Sequence, residues 1–271
     1  MSDKSLRILV FGAHPDDCDI KAGGIAIKYA ALGHNVRFVS VTNGDAGHHE
    51  IGGIELARRR KAEAESAGVI AGIEYHVMEN HDGELEPNLE NRKKIIRMIR
   101  TYTPDLILTH RPNDYHPDHR YTSTLIQDAA YMVTVPNICT DAPALSHNPV
   151  IAYLSDSFHK PTPFSPQVAI DIDDVVEKKM DMLHCHGSQM YEWLPYNSGR
   201  LEEVPESNQD RRKWLEHRLS RFADIADRYR DLLIDHYGED NGSRVRYAEA
   251  FEACEYGSTL SDENTPILFP F

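Results

Sequence analysis

The sequence predicts an α/β protein: a mostly parallel sheet with helices on both faces, followed by a less regular C-terminal elaboration. Three observations carry that expectation. Strand and helix patterns alternate through the first half, residues 6–12 form a run that is apolar but for Arg7, and the alternation dissolves in a proline-rich stretch after residue 135. An apolar run without a polar face suits a strand covered on both sides, as in a parallel sheet. Regular strand–helix alternation supplies the crossovers that such a sheet needs.

Each element follows from its residues. Residues 6–12 are the first strand. From Asp19 to Leu32 apolar residues recur at helical spacing, and Gly33 stands where a helix commonly ends on a left-handed glycine. Residues 36–42 are a second strand, 54–71 a helix and 73–78 a third strand. Residues 88–102 form an amphipathic helix that stops before Pro104, because the residue preceding a proline avoids the helical region. Residues 106–109 are a short buried strand, 111–118 a polar loop and 119–135 a helix. Residues 136–166 suit long loops, with short strands at 150–154 and 168–172, a helix over 173–185, and one long polar helix or two over 206–236. No repeat, low-complexity segment or clear linker interrupts the chain, so residues 1–271 are expected to form a single domain.

Composition narrows the function. With 271 residues, 41% of them hydrophobic, the chain is long enough to bury a sizeable core. The formal net charge of −14 argues against a nucleic-acid partner, which calls for a basic face. Cys18, Cys139, Cys185 and Cys254 form no CxxC pair, which argues against a disulfide framework or a thiolate zinc site and fits a reducing cytoplasm. The early apolar run is too short for a signal segment or a membrane span, so neither is expected. The sequence leaves the oligomeric state open, a homo-oligomer included.

Two segments concentrate the chemistry. Gly12-Ala13-His14-Pro15-Asp16-Asp17 follows the first strand, and His116-Pro117-Asp118-His119 follows the strand at 106–109. Ligands of open α/β sheets bind just beyond the carboxyl ends of the strands. Together the two loops offer three histidines and three carboxylates, more than the three protein donors that a catalytic zinc requires. A lone Asp pair before a helix most often caps it, and a lone His at a strand end is most often structural. Two such loops, each with His and Asp at a strand exit, are not accounted for by capping.

These motifs resemble those of the LmbE-like (PIG-L-type) zinc deacetylases. Two further segments echo that family: Arg60-x-x-Glu63-Ala64, and His186-Gly187-Ser188-Gln189 following Lys179. The resemblance thus runs from the first strand to Gln189. It implies a Rossmann-like fold and a metal-dependent hydrolase that removes an N-acetyl group from an amino sugar or N-acetylglucosaminyl conjugate. It implies His14, Asp17 and His119 as metal ligands and Asp16 as the general base. It implies His116 as a charged group near the leaving amine and the oxyanion, oriented by Asp118. Zinc is the implied cofactor, although Fe2+ and Co2+ suit the same donors. The partner implied is a small N-acetylated sugar. Arg60, chosen for its spacing to Glu63, and His186 are candidate substrate contacts, and Trp193 and Tyr196 are candidates for a sugar-stacking lid.

Three other readings are weaker. A two-metal phosphoesterase needs more bridging carboxylates. A nicotinamide enzyme would carry a G-x-G-x-x-G fingerprint where this chain has His-Pro-Asp-Asp. A non-catalytic sugar-binding protein would not need Asp16 beside a full ligand set.

Overall fold

A computed structural model describes residues 5–271. The first half alternates as expected: β1 (Arg7–Gly12), α1 (Asp17–Ala31), β2 (Asn35–Thr42), α2 (Gly53–Ala71), β3 (Glu74–Asn80), α3 (Leu89–Tyr102), β4 (Leu106–Thr109) and α4 (Pro117–Met132). Then come β5 (Val150–Leu154), β6 (Val168–Asp171), α5 (Val176–Cys185), α6 (Leu194–Asn197), α7 (Asn208–Trp214), α8 (Leu219–Arg228), α9 (Arg230–Tyr237), α10 (Glu239–Gly242), β7 (Ala248–Ala253) and α11 (Thr265–Leu268).

The seven strands form one sheet in the order β3-β2-β1-β4-β5-β7-β6. β1 pairs in parallel with β2 and β4, β2 with β3, and β4 with β5, while β7 is antiparallel to both β5 and β6. Alternate residues of β1 explain why it is apolar from Ile8 onward. Ile8 and Val10 pack beneath Cys18, Ala22 and Ile25 of α1, and Leu9 and Phe11 pack beneath Ile95 and Ile99 of α3 and Leu125 of α4. Both faces are covered, so neither can be polar. The sheet order reverses direction between β1 and β4. This is the switch point at which open α/β sheets leave a crevice.

Local signals fix several ends. Gly33 takes φ 79° just past α1, as expected for its place in the sequence. The Asn88 side chain caps α3 by accepting from the Asn91 N–H at 3.0 Å. α4 begins at Pro117, earlier than residue 119, because His116 supplies the cap.

The second half departs from expectation in two places. Residues 206–236 are not one or two long helices but α7, a 3-10 turn at Leu215–Arg218, α8 and α9. These pieces bend around the sheet rather than run past it, burying Leu215, Phe222, Ala226 and Leu233 in separate small clusters. The strand β7 was not anticipated. Its sequence Ala-Glu-Ala-Phe-Glu-Ala has a helix-like composition, and tertiary pairing overrides that propensity.

Glu249 of β7 ties this added edge to the first helix. Its carboxylate accepts from the Gly24 and Ile25 N–H groups at 2.8 and 2.9 Å and from Lys179 Nζ, all buried. Burial favours the neutral amine and pulls the Lys179 pKa down, with Glu249 opposing it. Glu249→Ala is expected to cost about 3–5 kcal/mol, because it strands a buried ammonium and two backbone donors. Urea unfolding checks this: the midpoint should fall with little change in slope.

Candidate metal centre and active site

β1 and β4 lie side by side, so the loops at their carboxyl ends converge. In the first loop the His14 N–H donates to Asp17 Oδ2 at 2.8 Å, which locks the turn. Asp16 stands at the N-cap position of α1 but makes no side-chain capping bond, so its carboxylate faces the cleft instead. In the second loop His116 Nδ1 accepts the Asp118 N–H at 3.2 Å and Pro117 begins the helix.

These turns bring three donor atoms together. His14 Nδ1 lies 3.4 Å from Asp17 Oδ2, His119 Nε2 lies 3.4 Å from the same oxygen, and the two ring nitrogens are 3.3 Å apart. Donors about 2.1 Å from one tetrahedral ion stand about 3.4 Å apart, so this triangle has the size of a zinc-type donor face. Two imidazoles and a carboxylate are also the right chemistry for such an ion. His14, Asp17 and His119 therefore fit a divalent metal.

Outer partners aim the donors. His14 Nε2 lies 3.2 Å from Asp118 Oδ2 and 3.1 Å from Asp82 Oδ1, and His119 Nδ1 lies 3.0 Å from Asp114 Oδ1. Carboxylates behind ligating histidines fix the tautomer and the ring orientation. Asp118 orients the His116 ring through its backbone N–H and not, as expected, through its carboxylate. Its oxygens serve His14 and the Gly83 and Leu85 N–H groups, because the β3–α3 loop folds over α4. Asp82 and Asp114 were not singled out from the sequence. For Asp82 a signal existed, since His81-Asp82-Gly83 is a third His/Asp segment at a strand exit.

The electrostatics follow from this packing. Burial opposes charge on His14, but hydrogen bonds to Asp118, Asp17 and Asp82 hold its pKa well above the ordinary value. Burial opposes ionisation of Asp17, yet His119 foremost, with the hydrogen bond to His14, keeps its pKa well below the usual range. Asp82 and Asp114, though partly buried, are held at about 2, mainly by His14 and His119 respectively. Burial lowers His110 to about 3, so it stays neutral and accepts the Ala13 N–H at 3.0 Å. The raised pKa means that a metal and a proton compete for the His14 ring. We expect about one proton released per metal bound at pH 7, measured by calorimetry in two buffers of different ionisation heat.

The resemblance implied a charged His116. Burial, reinforced by His14 and His119, instead pulls its pKa below the ordinary value. Because Nδ1 accepts a backbone N–H, the neutral ring carries its proton on Nε2 and remains a donor.

Asp16 is buried, which raises its pKa, and Arg60 works against that rise. Arg60 Nη2 lies 3.3 Å from Asp16 Oδ1 and Nη1 lies 3.4 Å from Asp82 Oδ2. The guanidinium presses on Gly44, where φ is +71° and an added Cβ would lie 2.5 Å from Nη1. Residue 44 thus needs glycine for both its backbone and its space. Arg60 lines the cleft, but its head is committed to positioning the two carboxylates.

His186 is not in the cleft. It is fully buried with Nε2 3.3 Å from Asp19 Oδ2, because the turn after α5 directs it under α1. Its neighbours do reach the site. Glu63 accepts the Ser188 N–H at 2.9 Å and its hydroxyl at 2.6 Å, so the two weak sequence echoes touch one another. Gln189 and Trp193 line the cleft, and Tyr196 stacks between Trp193 and His49. The cleft holds about 570 Å³ and contains His14, Asp16, Asp17, His116 and His119.

Known proteins resemble this chain in sequence and in fold. The family model described as PIG-L, GlcNAc-PI de-N-acetylase, matches residues 9–130, a span that includes both site loops. The diacetylchitobiose deacetylase of Thermococcus kodakarensis is 32% identical over 203 residues, covering 70% of this chain and 74% of its own. The 4-oxalmesaconate hydratase of Pseudomonas putida is 24% identical over 212 residues, covering 74% and 81%. The solved N,N'-diacetylchitobiose deacetylase of Pyrococcus horikoshii, complexed with its inhibitor MPG, superposes with a TM-score of 0.70 at 25% identity over 93% of this chain and 84% of that one. With its fold, its two strand-exit loops and a relative this similar, the chain belongs to the PIG-L (LmbE-like) deacetylase family.

Proposed function

We propose that the protein is a metal-dependent N-deacetylase that hydrolyses the acetamide of a small N-acetylglucosamine-bearing molecule, with zinc as the ion. The observation that carries this is the donor triangle of His14, Asp17 and His119 with the Asp16 carboxylate, held by Arg60, in the same cleft. The deacetylase relatives support the reaction class. His14, Asp17 and His119 would hold a divalent cation, which when bound would supply Lewis acidity towards the carbonyl and a water of lowered pKa, towards roughly 7.

The chain's own groups do the rest. Asp16 accepts the proton that water gives up as its oxygen attacks the carbonyl carbon. Arg60 holds that carboxylate in place through its 3.3 Å contact. His116 presents its Nε2–H to the developing oxyanion, and the negative charge formed there raises the pKa that burial had lowered. The carbon–nitrogen bond breaks as the amine takes up a proton from the Asp16–His116 pair.

The test is metal analysis joined to acetate release from a panel of N-acetylated sugars. One ion per chain and stoichiometric acetate are expected. Two ions per chain without acetate would favour a phosphoesterase. Hydration of an unsaturated acid without acetate would favour the chemistry named for the Pseudomonas putida relative. Among the described residues no helix is long and apolar enough to cross a membrane. A cytoplasmic setting belongs to the proposal and rests on four unpaired cysteines, three of them buried.

A further inference from the structure

The C-terminal part of the chain supplies one wall of the cleft, and the chemistry above leaves it unused. Arg218 ends the 3-10 turn and Arg221 lies in α8, and both line the cleft together with Lys21 of α1. Among the described residues, Arg218 and Arg221 have no hydrogen-bond or ion-pair partner, and Arg218 Nε is buried without an acceptor. The absence of any ion pair sets them apart from Arg60 and Arg111, whose terminal nitrogens contact carboxylates and carbonyls. Arg221 is exposed to water, yet protein crowds it enough that desolvation pulls its pKa down. That combination describes the wall of a cleft rather than an open surface. Lys21 Nζ is buried and donates to the Ser155 carbonyl, and burial and Arg221 both lower its pKa. The acids that face them make their direct contacts elsewhere: Asp16, which faces Arg218, with Arg60, and Asp17, Asp114 and Asp156, which face Arg221, with His14 and His119, with His119, and with Arg111.

Three cations line one cleft in a chain of net charge −14, and two of them, Arg218 and Arg221, make no direct ion pair. An incoming anion would relieve their mutual repulsion and satisfy the orphaned donors. We propose that Arg218 and Arg221, backed by Lys21, bind an anionic group of the substrate, so that the substrate is an acidic N-acetylglucosamine conjugate carrying a phosphate or a carboxylate. Guanidinium forks suit both groups, since each offers paired oxygens. The inference rests on the deacetylase reading for the sugar, whereas the anion site stands on its own geometry.

The metal-loaded enzyme is titrated calorimetrically with N-acetylglucosamine, N-acetylglucosamine 1-phosphate and a hydroxy-acid glycoside of N-acetylglucosamine, and acetate release is followed on the same three. At least one acidic ligand should bind tighter than the neutral sugar, and which one identifies the group. Arg218→Met and Arg221→Met should each weaken that ligand by about 10- to 100-fold, the worth of a charge-assisted contact, with neutral-sugar affinity unchanged. Arg221→Lys should retain part of the preference. Thermal unfolding confirms that each variant is folded. Equal affinity for acidic and neutral ligands overturns the proposal. So does an acidic preference that survives both substitutions, which would place the anion on the metal. So does a parallel loss of affinity for all three ligands. Arginine-dependent binding without acetate release sinks the deacetylase reading alone, and acetate release without acidic preference sinks the anion site alone.

Discussion

His14→Ala, Asp17→Ala and His119→Ala are each expected to lose bound metal and turnover together. Their donor atoms stand 3.3–3.4 Å from one another, so each removal opens one corner of a three-donor face. Loss of an outer hydrogen-bond partner alone typically costs 10- to 100-fold in metal affinity, so loss of a donor should cost more than about 100-fold. Asp118→Asn, which weakens the support behind His14 Nε2, should fall in that smaller range. His186→Ala provides the contrast. It is buried against Asp19 outside the cleft, so it should keep its metal even if stability drops. Metal content by elemental analysis, beside acetate release, separates these outcomes. A His119→Ala protein with full metal would remove the centre on which the mechanism stands.

Asp16→Asn is the second large effect. It should retain metal and lose about 10²–10⁴ in turnover, the usual worth of a positioned acid–base group. Arg60 supports the same carboxylate, so Arg60→Met should lower turnover by a smaller factor. The pH profile follows from two protonations. Asp16 has a raised pKa, so as pH falls it takes up a proton, and ceases to be a base, earlier than an ordinary carboxylate. His14, whose pKa is also raised, binds protons over a wider range and competes with metal across it. Both act in one direction, so activity should decline on the acid side of neutrality. A profile flat down to about pH 4 would contradict histidine ligation.

The removal of a donor and the removal of the base differ in what survives. In the first the metal goes; in the second it stays while proton transfer stops. Measuring metal and rate on the same preparation tells them apart, and neither result depends on knowing the natural substrate.

The parallel half of the fold and the two strand-exit loops were legible in the sequence because their signals are local. The apolar run of β1, the glycine after α1 and the His-Pro-Asp spacings depend only on neighbours along the chain. What the tertiary structure decided are the pairings across the chain. The Asp118 carboxylate reaches His14, 104 residues away, and leaves the nearby His116 ring to the Asp118 N–H. Asp82 and Asp114 enter as outer partners, and His186 turns away from the cleft to Asp19. β7 forms because an open sheet edge, not helix propensity, claims residues 248–253. Arg218 and Arg221 read as ordinary positions in a polar helix until the chain bends them onto the cleft. Side-chain type and spacing are written into the sequence, but which carboxylate backs which ring is fixed only when distant loops pack against one sheet.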